Sequence, residues 1–243
     1  MAAFRFINML LVVAALALSA AAAYVFFGRT GIDEAEKRLS RYEMRIDAEI
    51  PLAQAGDINA QYKLGRLYRF GEGRTRNLKR AVKWLRGAAK GGHGGAQYEL
   101  GQMYAKGQGV SQSYYRAVEW FSLAARVSNH RSAQFALGEL YFLGRGVDRD
   151  FIDARKWLLM AAIRNHPLAQ YYIGQLYEKG WGGETNYIEA FKWYTLASRK
   201  VAEIKSADAK YDPNGALANL RTRLNRSQLA AGQKAVEHWK AAH

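Results

Sequence analysis

Three of the five histidines, His93, His130 and His166, recur at nearly equal intervals. Imidazoles repeated in this way could form a metal-binding ladder. The spacing argues against it, because stacked helices lie about 8–10 Å apart and could not share one ion without rearrangement. The slot reads as a polar surface position just past a helix stop, carried along with a repeating unit. No cysteine is present, which excludes disulfides, thiolate catalysis and cysteine-based zinc or iron–sulfur sites. Ser, His and acidic residues occur without a nucleophile motif. The Gly-x-Gly pairs at 71/73, 107/109, 144/146 and 180/182 are not phosphate loops, since no strand precedes them and no Lys-Ser/Thr follows. Trp84, Trp120, Trp157 and Trp193 could form a carbohydrate or cofactor platform, but their fixed register opposite a Leu/Tyr face assigns them to the core. No catalytic, metal or cofactor residue is expected, and no small-molecule substrate.

The charge is more informative. The net charge is +15, yet residues 31–58 carry four basic and seven acidic residues, while residues 59–95 carry ten basic residues against Glu72 alone. Confinement of the excess to one segment speaks against nucleic acid. Lys63, Arg66 and Arg69 share one side of a helix, and Arg74 and Arg76 lie in the loop after it. This set is the candidate partner-binding site, extended along the later units by Gln102, Glu139 and Gln175, which occupy the position of Arg66 after a helix glycine. It would dock an acidic protein surface, with anionic lipid headgroups as the alternative. Before each Trp stand Lys83, Glu119, Lys156 and Lys192, read as a surface charge ladder continuing from Asp47. Lys83 and Lys79 align with Asp47 and Glu43, which leaves the groove-side cations unpaired.

The elements that position these residues follow from a repeat. Ala-Gln recurs at 60, 96, 133 and 169. Periods near 36 residues mark stacked helical hairpins. Four residues after each Ala comes Leu64, Leu100, Leu137 or Ile173, followed by Gly65, Gly101, Gly138 or Gly174, then Tyr68, Tyr104, Tyr141 or Tyr177. The apolar residue and the Tyr share the buried face of a first helix. The glycine beside them lets a second helix approach closely, and Gly-x-Gly ends the first helix. Asn77, Ser113, Asp150 and Asn186 stand where the second helix needs an N-cap. Gly56, Gly92, Asn129 and Asn165 stand where a helix must stop in the left-handed region.

The units AQYELGQMYAKGQGVSQSYYRAVEWFSLAA and AQFALGELYFLGRGVDRDFIDARKWLLMAA closely resemble the Sel1-like repeat family, relatives of tetratricopeptide repeats. The resemblance covers about residues 50–200 and implies an all-α, α/α right-handed superhelical solenoid whose first helices line a concave groove. It also implies a role in protein–protein contact. The chain departs from the pattern at Arg74 and Gly183, where the family carries Val after Gly-x-Gly.

Residues 6–27, FINMLLVVAALALSAAAAYVFF, contain no charge and are long enough to span a bilayer. They read as an uncleaved anchor or as a cleaved signal peptide. The apolar Tyr24, Val25, Phe26 and Phe27 after the Ala tract favour the anchor. The expected organisation is an anchor or signal over 1–29, an N-terminal capping helix over 30–58, and repeats over 59–95, 96–132, 133–168 and 169–210. C-terminal capping helices follow over 211–243. Asn225 and Gln228 have capping-box spacing ahead of the closing helix. The polar stretch KSADAKYDPNG before it reads as a loop. Together these features predict a scaffold or adaptor at the inner membrane, its repeats periplasmic, or a soluble periplasmic protein after signal cleavage. The alternatives are a cell-envelope hydrolase or a polyanion binder using the basic first repeat.

Overall fold

The computed structural model describes residues 47–72 and 75–242. The segment 6–27, Glu43, Gly73 and Arg74 lie outside the described residues. Helix α1 covers residues 47–54. Four antiparallel hairpins follow: α2 (Ile58–Phe70) with α3 (Leu78–Lys90), α4 (Gly94–Lys106) with α5 (Tyr114–Arg126), α6 (Arg131–Leu143) with α7 (Phe151–Ala162), and α8 (Pro167–Lys179) with α9 (Tyr187–Ala197). Helices α10 (Val201–Ala207), α11 (Pro213–Arg221) and α12 (Arg226–Ala242) close the C-terminal end. No strand occurs among the described residues.

Local chemistry sets each boundary. Asn77, Ser113, Asp150 and Asn186 are the N-caps of α3, α5, α7 and α9, each accepting from a backbone N–H two or three residues on. Gly56, Gly92, Asn129 and Asn165 all have positive φ. The capping box also forms: Asn225 Oδ1 accepts from the Gln228 N–H at 2.9 Å, and Gln228 Oε1 accepts from the Asn225 N–H at 3.1 Å. The stretch expected as a loop differs. Its first residues extend α10 and its last open α11 at Pro213, leaving a turn over 208–212. Polar composition concealed these two short helices, whose few buried anchors are Ile204, Pro213, Leu217 and Leu220.

The core runs between the two layers of helices. Leu64, Leu100, Leu137, Ile173 and the four alanines Ala81, Ala117, Ala154 and Ala190 are all 0% exposed. Burying each larger aliphatic side chain contributes about 1.5–3 kcal/mol. The small side chains let the hairpins close tightly. At Gly101 an added Cβ would lie 2.6 Å from the Phe121 ring, so only glycine fits there. The tryptophans are graded rather than uniformly internal. Trp157 and Trp193 are buried, whereas Trp84 and Trp120 are half-buried against the core edge, because the aromatic belt lies at the rim between second helices.

Successive hairpins also interlock. The loop glycines Gly109, Gly146 and Gly182 rest on the backbone at the start of α3, α5 and α7, the second helix of the preceding repeat; a Cβ at Gly109 would lie 2.5 Å from the Leu78 carbonyl oxygen.

Candidate functional site

The recurring Ala-Gln pair has a definite task in the joint between repeats. The side-chain amides of Gln61, Gln97 and Gln170 donate to the carbonyls of Ala53, Ala89 and Ala162 at 3.1–3.2 Å. These carbonyls belong to the last turn of the preceding helix, where intrahelical donors run out. Gln134 instead donates to Asn129 Oδ1 at 2.6 Å.

The histidine slot is not a plain surface position. His93, His130 and His166 are the N-caps of α4, α6 and α8, and their Nδ1 atoms accept from the N–H groups of Ala96, Ala133 and Ala169 at 3.1–3.3 Å. Asp57 fills the same role ahead of α2, accepting from the Ala60 N–H at 2.7 Å. Each imidazole also stacks on an aromatic ring of the preceding first helix: His93 on Tyr62 at 4.0 Å, His130 on Tyr98 at 4.6 Å and His166 on Phe135 at 4.4 Å. Burial depresses all three histidines below their ordinary range, His166 to about 4, with Arg131 acting in the same direction there. Each Nδ1 is turned inward to a backbone donor. No group of metal-binding side chains occurs among the described residues.

The first helices face one another across the joints through polar bridges. Glu99 on α4 gathers three groups from α2: Arg69 Nη1 at 3.1 Å, Arg66 Nε at 3.3 Å and the Tyr62 hydroxyl at 3.2 Å. Arg69 also donates to Gln102 Oε1 at 3.1 Å. Lys63 pairs with Glu49 of α1 at 2.8 Å. The expectation that the groove-side cations stand unpaired is therefore corrected. Arg69 is only 7% exposed, and a guanidinium so deeply buried requires an acid beside it. Lys63 and Arg66 remain exposed. Arg76 is exposed and donates its Nε to the Arg69 carbonyl at 3.0 Å. Arg74 lies outside the described residues.

The later candidates lie on the same inner face. Gln102 donates to the Tyr98 hydroxyl at 2.7 Å, and Gln175 to the Tyr171 hydroxyl at 3.4 Å. Glu139 accepts from the Tyr172 hydroxyl at 3.1 Å, and burial pushes its carboxyl above the usual carboxylate range. The structure thus links Arg66 and Arg69 through Glu99 and Gln102 to Arg69 directly, and places Glu139 and Gln175 further along the row. Among the described residues no ion pair joins Glu119 to Lys83 or Lys156, so those two rungs of the charge ladder do not form. Instead Lys83, Lys156 and Lys192 lie over the rings of Trp84, Trp157 and Trp193 at 5.3, 5.5 and 4.9 Å. Sequence reasoning missed Glu99, Tyr172 and Tyr211, since partners some 30–40 residues apart leave no local trace.

The Sel1 repeat model matches residues 58–93, 95–129, 131–166 and 167–200, more than half of the chain. The chain belongs to the Sel1 repeat family. Sel1 repeat proteins are generally non-enzymatic scaffolds that mediate protein–protein interaction. A crystal structure of a Sel1 repeat protein from Oxalobacter formigenes is similar over 78% of this chain and 76% of that one, with a TM-score of 0.60 and 24% identity, a likeness of fold. The structure of c5321, a protective antigen present in uropathogenic Escherichia coli strains, displays an SLR fold. It matches 77% of this chain and 46% of its own length at 26% identity and a TM-score of 0.49. No curated protein matches the sequence.

Proposed function

We propose that this Sel1 repeat protein is a scaffold that seats an acidic segment of a protein partner on the face formed by α2, α4, α6 and α8. The observation that carries the reading is the balance of charge at the α2 end. Among the described residues, Lys63 pairs with Glu49 while Arg66 and Arg69 share Glu99, Arg76 donates to a backbone carbonyl, and Lys63, Arg66 and Arg76 stay open to solvent. Surplus positive charge on one end of a groove attracts and orients an acidic partner. The exposed Phe70 beside the Arg66 and Arg69 guanidinium groups, at 5.5 and 5.3 Å, adds an apolar contact to that end. Arg69 itself acts from beneath, holding Glu99 in place.

The scaffold is held at the inner membrane by residues 6–27, its repeats on the periplasmic side. Signal cleavage would leave the same solenoid soluble in the periplasm. Support comes from the uncharged run and from the apolar residues that follow its Ala tract. Among the described residues, no helix is long and apolar enough to cross a membrane. The test uses the full chain, recovered from membranes with its partners. Replacing Lys63, Arg66 and Arg76 by Gln should abolish partner recovery while helicity and melting temperature stay within a few degrees, as expected for exposed groups. Unchanged recovery of every partner with the fold intact would reduce the patch to a solvated face. Fractionation with the soluble envelope contents, and an intact mass beginning near Tyr24, would establish the cleaved form instead.

A further inference from the structure

The four first helices offer equivalent slots to the inner face, but they are not equally open. The aromatic residue after each Ala-Gln is half-buried at Tyr62, Tyr98 and Phe135, whereas Tyr171 is only 6% exposed and its neighbour Tyr172 only 1%. What covers them is the chain itself. After α10 the backbone turns over residues 208–212 and lays Tyr211 against α8. The Tyr211 ring lies 5.5 Å from that of Tyr171 and 5.6 Å from that of Tyr172. The Tyr211 and Tyr172 hydroxyl oxygens are 2.6 Å apart. Tyr172 spends its own proton on Glu139, so the Tyr211 hydroxyl is the donor in a relay from Tyr211 to Tyr172 to Glu139.

Within the turn, Tyr211 supplies the ring that meets α8, and the Asp212 backbone adds a hydrogen bond to the Tyr171 hydroxyl. Ala209 and Lys210 beside Tyr211 are exposed. The ion pairs of this stretch, Lys210–Asp208 at 2.9 Å and Lys205–Asp212 at 3.7 Å, both close within the stretch and not onto the groove. Beside the turn a cavity of about 380 Å³ stays open, lined by Tyr171, Gln175, Glu178 and Trp181 and by Lys210 and Asp212, the residues on either side of Tyr211. Such a volume is in the range that accommodates a ligand side chain or more. The internal segment therefore satisfies the phenol site and leaves the adjoining space unfilled.

We propose that Tyr211 is a built-in stand-in for a tyrosine of a protein partner, and that the repeat 4 end of the groove is a tyrosine subsite which the chain occupies itself until a partner displaces it. The proposal rests on the first-helix face being a binding surface. It does not rest on the basic patch, so charge neutralisation at Lys63, Arg66 and Arg76 can fail without touching it.

The experiment measures fluorescence anisotropy of a labelled peptide with the chain's own sequence over residues 206–214, SADAKYDPN, titrated with full-length protein. Tyr211→Ala should bind it at least tenfold more tightly than the wild type, at unchanged helicity. A peptide with Phe for Tyr should bind that variant roughly threefold to tenfold more weakly, the value of one hydrogen bond. Should Tyr211→Ala lose helicity, Tyr211→Phe keeps the ring, and its affinity for the peptide should exceed that of the wild type by roughly threefold. Equal binding by wild type and variants, or binding by none, would overturn the proposal. A wild-type dimer dissolved by Tyr211→Ala would do so too, since the occupant would then be a second copy.

Discussion

Replacing His166 by Asn tests the capping role most directly. In the native protein His166 Nδ1 must be unprotonated to accept from the Ala169 N–H. Burial disfavours the charged imidazolium, the nearby Arg131 adds to that, and protonation also removes the acceptor that caps the N-terminus of α8. The folded pKa lies at about 4, below the reference of 6.5. A depressed histidine contributes stability that is complete above about pH 6.5 and declines as the pH falls toward 4, because the unfolded chain binds the proton first. The gap is about 2.5 units, so the full loss is about 3 kcal/mol at the acid end, with about 2 kcal/mol already gone at pH 5. His93 and His130 act in the same direction. Asn is a preferred cap with an acceptor that does not titrate, though it forgoes the stack on Phe135. Urea melts of wild type and His166→Asn, followed by circular dichroism at pH 7.5 and pH 5 at constant ionic strength, give the double difference. The drop in stability between the two pH values should be smaller in the variant by about 2 kcal/mol. Equal drops would show that the Nδ1 acceptor does not control stability, and the capping argument would fall.

Other outcomes follow from the packing. Trp193→Ala should destabilise by about 3–5 kcal/mol, and Trp120→Ala, at the half-buried rim, by clearly less; chemical melts would rank them, and the reverse order would contradict the graded belt. Glu99→Gln should lose about 3–5 kcal/mol because Arg69 stays buried without its acid, while Glu49→Gln, beside the exposed Lys63, should lose less than about 1 kcal/mol. Gly101→Ala should destabilise by about 1–3 kcal/mol in thermal melts, despite the better helix propensity of Ala, since its Cβ meets the Phe121 ring. A stabilised Gly101→Ala protein would mean that α4 and α5 are not in the contact described.

Much of the scaffold is legible in the sequence because its determinants are local. Asn77, Ser113, Asp150 and Asn186 announce helix starts, and Gly56, Gly92, Asn129 and Asn165 announce stops, within a few residues of where they act. The site is less legible because its determinants cross between repeats. Arg66 and Arg69 sit three residues apart on α2, and helical periodicity places them on one side. Yet that spacing still turns Arg69 inward to Glu99 while Arg66 stays half in water. Nothing in the neighbourhood of either residue names the acid on α4. The histidines mislead for a related reason: a residue just past a stop is also the residue just before the next helix, and with a linker this short the capping role wins. Tyr211 lies in a polar stretch whose composition resembles a loop, and only the location of its ring reveals a role.

The seating of each loop glycine on the helix before it gives the array a direction. Every repeat offers a ledge, the first residue of its second helix, and the next repeat supplies the tongue that rests on it: Gly109 on Leu78, Gly146 on Tyr114 and Gly182 on Phe151. The matching ledge of the last repeat is Tyr187, and no fifth loop arrives. There the Arg223 guanidinium between α11 and α12 lies 4.5 Å over the Tyr187 ring and donates to its hydroxyl. The C-terminal helices thus end the array with a side-chain contact at that ledge, in place of a backbone one. A chain threaded out N-terminus first would complete its joints in sequence, each repeat locked by its successor and the last by Arg223.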